Sequence, residues 1–221
     1  RDIVILSRSV ATWGNTVAAV LKDCDIPAHV ESNTGYFSSY EIQVILSMLR
    51  ILDNPLQDIP MAAVLASPIV GMDDEELAQI RSAFKGVSFA QAVLSAMAGE
   101  DGYEDEKLKA FALVFERLRG AVADTPIHEL LYMMLDETGF YRYASAMPAG
   151  KRRRQNIDML IEMAAAYEKT SYKGLFHFVR YIDIQQKYEI DYGEADTAGE
   201  NDDVVRIMTI HKSKGLEFPV V

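Results

Sequence analysis

Near the carboxyl end of the chain, "HKSKGLEF" (His211 to Phe218) places an imidazole, ammonium groups, a hydroxyl, a glycine and a carboxylate side by side. Lys212, Ser213, Lys214 and Gly215 offer ammonium, hydroxyl and backbone N–H donors, all suited to a phosphate. Glu217, just past the glycine, is an acceptor able to take a ribose hydroxyl. The same composition also describes a solvated turn with ordinary surface lysines, and composition alone favours that plainer reading. A second concentration of charge is "GKRRRQN" (Gly150 to Asn156), the densest basic run. Its Lys151, Arg152, Arg153 and Arg154 either meet phosphate or form the solvated opening of a helix, where the dipole disfavours positive charge. The carboxylates Asp191, Glu194, Asp196 and Glu200 have no neighbouring histidine or lysine, so no metal site is read from them. His29, His128 and His177 are read as structural histidines.

These groups need elements to hold them. "VVRIMTI" (Val204 to Ile210) has strand character, so the polar turn after it falls at the carboxyl end of a strand, where open α/β sheets put their ligands. "DIVILSR" (Asp2 to Arg8) is an apolar, β-branched run of the kind buried on both faces of a parallel sheet. Thr12 to Cys24 carries Val17, Val20, Leu21 and Cys24 at helical spacing, and "IPAHVE" (Ile26 to Glu31) reads as a second short strand, completing a βαβ unit. Between Gly35 and Asn54 a helix is expected, with Ser38 and Glu41 as capping box and Ile42, Ile45, Leu46, Leu49 and Leu52 as buried stripe.

Roughly 140 residues of helical pattern follow. Asp58 is expected to cap one helix, "DDEEL" after Gly71 to open another, and Ser88 with Gln91 to form a capping box. Thr125-Pro126 reads as an N-cap and first helical position. Long helices are expected over 151–169 and 172–188, with Phe176, Phe178 and Tyr181 as core rather than a base-stacking platform. The acidic, non-periodic stretch Asp191 to Asp203 reads as a mobile linker. A helical block bracketed by α/β segments is the pattern of a helical domain inserted into a parallel-sheet domain.

Composition bounds the function. The 221 residues are 49% hydrophobic and 25% charged, an ordinary globular balance. A net charge of -11 argues against a generic nucleic-acid binder while allowing a local basic site. One cysteine, Cys24, excludes an internal disulfide framework and fits a reducing cytoplasm. Nothing in the sequence reads as a membrane span or signal peptide. The chain starts at Arg1 and stops within an apolar run at Val221, and is expected to be a piece of a larger protein. No GxxxxGK[ST] phosphate loop occurs in it.

"VVRIMTIHKSKGLEFPVV" resembles helicase motif V of the UvrD/Rep/RecB group of superfamily 1. "DIVILSRS" is similar to that group's motif IV, and "GYFSSYEIQVILSMLRILDNP" to the segment called IVa. "MAAVLASPIVGMDDEELAQIR" and "KRRRQNIDMLIEM" resemble helical parts of its inserted 2B subdomain. Within the group, "DNPLQDIPMAAVLASPIVGMDDEELAQIRS" and "TSYKGLFHFVRYI" look most like the A-type subunits of bacterial ATP-dependent helicase–nucleases. The resemblance covers essentially the whole chain in order. It implies a mostly α fold, with a helical 2B-type insertion (55–190) flanked by fragments of a RecA-like α/β parallel sheet (1–54 and 204–221) and a linker at 191–203.

The resemblance also implies roles. Arg8 would be an arginine finger on the γ-phosphate of ATP. Gly215 and Glu217 would face the nucleotide, with Glu217 on the ribose. Thr209, His211 and Lys212 would touch single-stranded DNA, and the run Lys151 to Arg154 is a further candidate DNA contact. "SPIVGMDDEEL" stands where such proteins carry a duplex-binding turn, but its incomplete glycine pattern and acidic residues argue against that contact. ATP with Mg would serve the complete protein, with no cofactor or metal held by this chain alone. Partners would be single-stranded and duplex DNA and the second subunit of a heterodimeric helicase–nuclease. The alternative is a helical docking domain that holds the partner subunit.

Overall fold

The computed structural model describes residues 3–8, 10, 13–30, 36–169, 174–187, 203–211, 213–214 and 216–221. The chain forms two compact units, Arg1–Ser39 with Glu189–Val221, and Tyr40–Tyr188.

The first unit holds β1 (Val4–Ser7), α1 (Gly14–Asp23), β2 (Ala28–Val30) and β3 (Val205–Thr209). The strands form one parallel sheet in the order β1-β3-β2. The strand from the far end of the chain is therefore central, and the two sequence fragments do meet in space. Its Ile207 and Met208 are fully buried, as an apolar run between two neighbours requires. On the other edge of β1, Val4 N–H donates to the Val220 carbonyl at 3.0 Å, within a parallel bridge of Ile3 to Val220. The stripe expected on α1 is only partly covered, for Val20 and Cys24 are exposed.

The second unit is helical: α2 (Tyr40–Asp53), α3 (Asp58–Ala66), α4 (Asp74–Ala83), α5 (Phe89–Met97), a 3₁₀ turn (Glu100–Gly102), α6 (Glu106–Ala121), α7 (Ile127–Thr138), α8 (Phe140–Ala146), α9 (Gly150–Tyr167) and α10 (Leu175–Lys187). Its central element is α2. The expected stripe is buried, and so are Val44, Met48 and Ile51, so the helix is apolar nearly all round. It packs against α3, α6, α9 and α10, and each fully buried Leu or Ile contributes roughly 1.5–3 kcal/mol. This explains why the compact units divide before α2, at Ser39, rather than after Asn54. Residues 191–202 of the expected linker lie outside the described residues.

Several caps differ from the expected ones. Ser88 and Gln91 do form a capping box on α5, and the acidic opening of α4 contains another, Asp73 with Glu76. Asp58, however, stands inside the first turn of α3, and its carboxylate accepts from Ala90 N–H on α5 at 2.9 Å. At α7 the N-cap is Pro126, without a side-chain cap bond, and Ile127 N–H donates to Glu168 from the end of α9. His128 Nδ1 shares that carboxylate, consistent with a structural histidine. On α10 the buried stripe is Leu175, Phe178 and Ile182, so Phe176, one position off it, is exposed rather than core.

Candidate functional site

Two sets of candidate residues occupy defined places, one in each unit. In the sheet unit, Ser7 and Thr209 are paired in register at the carboxyl ends of β1 and β3. Ile210 N–H donates to the Ser7 carbonyl at 2.9 Å, so the chain leaves both strands at the same edge. Arg8, the next residue after β1, is exposed there, and so is His211, while Thr209 is half-buried. Parallel pairing thus brings together residues some two hundred positions apart in sequence, at the edge where α/β sheets bind ligands.

The turn after β3 is wound by its own backbone. Ser213 N–H donates to the Thr209 carbonyl at 3.1 Å, and Leu216 N–H to the Ser213 carbonyl at 2.9 Å. Ser213 Oγ donates to the Ile210 carbonyl at 2.9 Å, so its proton is held inside the turn rather than offered to a phosphate. Lys214 and Glu217 are both exposed, with Glu217 on the run that leads to Val220. Lys212 and Gly215 lie outside the described residues.

The second set is the basic opening of α9. Ala149 adopts a left-handed conformation with φ of 59°. Gly150 follows with no room for a side chain: a Cβ there would stand 2.0 Å from the Ser145 carbonyl oxygen. Arg153 is held inward, Nε donating to the Pro148 carbonyl at 3.0 Å and Nη1 to the Glu41 carboxylate. Asn156 Nδ2 donates to the other Glu41 oxygen at 2.6 Å. Glu41 is 2% exposed, so this is a buried carboxylate answered by a guanidinium and an amide. Beyond the capping role expected from its spacing, Glu41 makes a contact across helices. Lys151, Arg152 and Arg154 line the opening of α9, all three exposed. No carboxylate lies in the first turn of α9 to balance them against the helix dipole.

The turn before α4 has its polar groups engaged. Lys107 Nζ donates to the Gly71 carbonyl at 2.8 Å and to Glu76 at 2.7 Å. Among the described residues no group of three His, Cys, Asp or Glu is placed to hold a metal ion. No described helix is long and apolar enough to cross a membrane.

Sequence reasoning missed Glu41 and Glu168 as organisers. Each acts on a partner on another helix, and no local spacing signals such a pair.

The chain is 44% identical over its whole length to the A subunit of an ATP-dependent helicase/nuclease from Anoxybacillus flavithermus. It is 45% identical, again over its whole length, to the protein of the same description from Bacillus cytotoxicus. In each case it spans 18% of the relative's length. The profile of the UvrD-like helicase C-terminal domain matches residues 1–221, and the chain belongs to that family.

Proposed function

We propose that this chain is part of an ATP-dependent DNA helicase–nuclease subunit that unwinds and processes double-strand DNA ends for recombinational repair in the cytoplasm. In this reading the sheet unit belongs to a RecA-like 2A domain and the helical unit is its 2B-type insertion. The observation that carries it is the shared edge of β1 and β3, from which Arg8 and the Thr209–His211 segment both emerge.

An exposed guanidinium at a strand end fits a phosphate group. Arg8 would neutralise charge spreading over transferred phosphoryl oxygens, an effect worth about 10³–10⁵ in rate for an arginine finger. A lysine would not reproduce its planar fork. ATP with Mg, bound by the complete protein, supplies the phosphoryl group. Glu217 accepts from a ribose hydroxyl, with Gly215 allowing close approach. Thr209, His211 and Lys212 donate to phosphate oxygens of single-stranded DNA without reading its sequence, as a translocating motor needs. One turn that meets both nucleotide and DNA would pass movement from one to the other. With no phosphate loop in its 221 residues, the chain alone would not hydrolyse ATP. On α9, Lys151, Arg152 and Arg154 would lie against DNA phosphates, with Arg153 anchoring their turn.

Arg8→Ala in the complete protein tests the central assignment. ATP turnover should fall about 10³-fold or more while DNA affinity is largely kept. Unchanged turnover would refute the finger role.

A second reading is a docking domain that holds the partner subunit. It is favoured by large apolar side chains exposed on the helical unit, Ile59 at 84% and Leu113 at 67%. Neutralising Lys151, Arg152 and Arg154 separates the two. If they meet DNA, the salt dependence of binding becomes shallower; an unaltered slope favours docking.

A further inference from the structure

A groove of about 320 Å³ opens between α7, α8 and α9 of the helical unit. Its apolar wall is Leu135 and Ile161, both buried. Its remaining lining is Tyr132, Asp136, Tyr141, Arg142 and Asp158. Tyr141 hydroxyl donates to Asp158 at 3.1 Å, which fixes that ring against the groove. Tyr132 is 58% exposed, so most of its ring is left uncovered by the helical unit.

The basic opening of α9 and the groove share one face of that helix. Lys151, Arg154, Asp158 and Ile161 recur at i, i+3, i+7 and i+10, which places them along one face of that helix. Arg154 is also close enough to Tyr141 to act on it electrostatically. Cations therefore lead toward a slot walled by flat rings and apolar side chains, with two carboxylates, Asp136 and Asp158, at its sides.

We propose that this groove takes one unpaired nucleobase of a single-stranded DNA whose phosphates lie along Lys151 and Arg154. The inference rests on the DNA-facing reading of the basic turn and adds a base-holding subsite to it. Aromatic rings accept any base, because every base has a π-face, so the contact suits a protein that moves along DNA without reading sequence. Asp158, an acceptor only, would take an exocyclic amino or ring N–H from the edge of the base. Arg142 stands at the groove as a further partner for phosphate; its pairing with Asp136, at 3.9 Å between two highly exposed side chains, is too weak to hold it back. An aromatic side chain of a partner protein would fill the same slot, but a row of cations beside it in a chain of net charge -11 suits an anionic backbone better.

The test uses the complete protein and a duplex with a single-stranded tail containing 5-iodouracil. Irradiation and peptide mapping should place a cross-link within residues 127–146, and Tyr132→Ala should remove it. Tyr132→Ala should also weaken binding of the tail about tenfold. A tail of abasic units should bind the variant and the unaltered protein equally. In parallel, neutralising Lys151 and Arg154 should lower the salt slope by about 0.7 for each phosphate no longer neutralised. If that slope falls but the cross-link is absent and Tyr132→Ala binds normally, the groove assignment is overturned and the basic turn stands. An unchanged slope overturns the basic-turn reading and this inference with it. If Tyr132→Ala impairs assembly with the partner and leaves DNA binding intact, the slot holds a protein side chain and the nucleobase assignment is overturned.

Discussion

Glu76 shows how much one carboxylate at a helix opening can organise. It accepts from Asp73 N–H at 2.8 Å as half of the α4 capping box, and from Lys107 Nζ at 2.7 Å. The Lys107 hydrogen bond, followed by the Asp73 backbone bond, lowers its pKa below the ordinary value of 4.5. A depressed carboxylate contributes stability that is fully present above the unfolded-state value and is lost as pH falls through the folded-state value. Lys107 has the opposite sign: its pKa is raised, chiefly by the Glu76 hydrogen bond, so its contribution disappears only at strongly alkaline pH. Glu76→Gln keeps a residue able to close the capping box while removing the charge. In urea unfolding followed against pH, the variant should be less stable than the unaltered chain at neutral pH, and the two should converge as pH falls through the depressed value of Glu76. A gap that persists in acid would show that charge is not what Glu76 contributes. Asp73→Ala, which removes the cap itself, should cost about 1 kcal/mol.

Among the elements, the α8–α9 junction is the most tightly determined. Ala149 is left-handed, the Gly150 position excludes any side chain, and Arg153 fastens the Pro148 carbonyl and the buried Glu41. Gly150→Ala would push a methyl group into backbone that cannot yield as a flexible side chain does, and should cost about 1–3 kcal/mol in thermal or urea unfolding. Gly120, in α6, is the matched control: a Cβ there meets nothing within 4 Å, so Gly120→Ala should be neutral or stabilise by about 0.5 kcal/mol. Equal effects at the two sites would contradict the steric account. This junction also marks where sequence reading stops. The basic run, the helix that carries it and the Ser88–Gln91 box were legible, because periodicity and capping spacings are local signals. The bonds of Glu41 to Arg153 and Asn156, of Asp58 to Ala90, and of Glu168 to Ile127 were not. Each joins residues on separate helices, and each was hidden because Glu41, Asp58 and Thr125 also fitted a nearer role.

On the scale of the molecule, the strand order carries the strongest consequence. β1 and β2 lie close in sequence, yet among the described strands each pairs with β3 and neither with the other. β3 comes from beyond the whole helical unit, so the sheet closes only after that unit has been made, and the loop to be closed is long. Closure entropy grows slowly with length, so the arrangement costs little more than a shorter loop would, and a helical insertion is tolerated. The helical unit, by contrast, has its own core around α2 and needs no strand to complete it. Two parallel strands with no partner between them cannot satisfy their backbone N–H and carbonyl groups, and the apolar faces of Val4 and Ile5 lose their cover. Removing residues 189–221 should therefore leave a protein whose helical circular-dichroism signal still melts cooperatively, while residues 1–39 become the first site of limited proteolysis. If the truncated chain instead lost its cooperative transition, the helical unit would depend on the sheet for its fold. If residues 1–39 stayed protected, β1 and β2 would have found another partner, and the central position of β3 would not be what holds them.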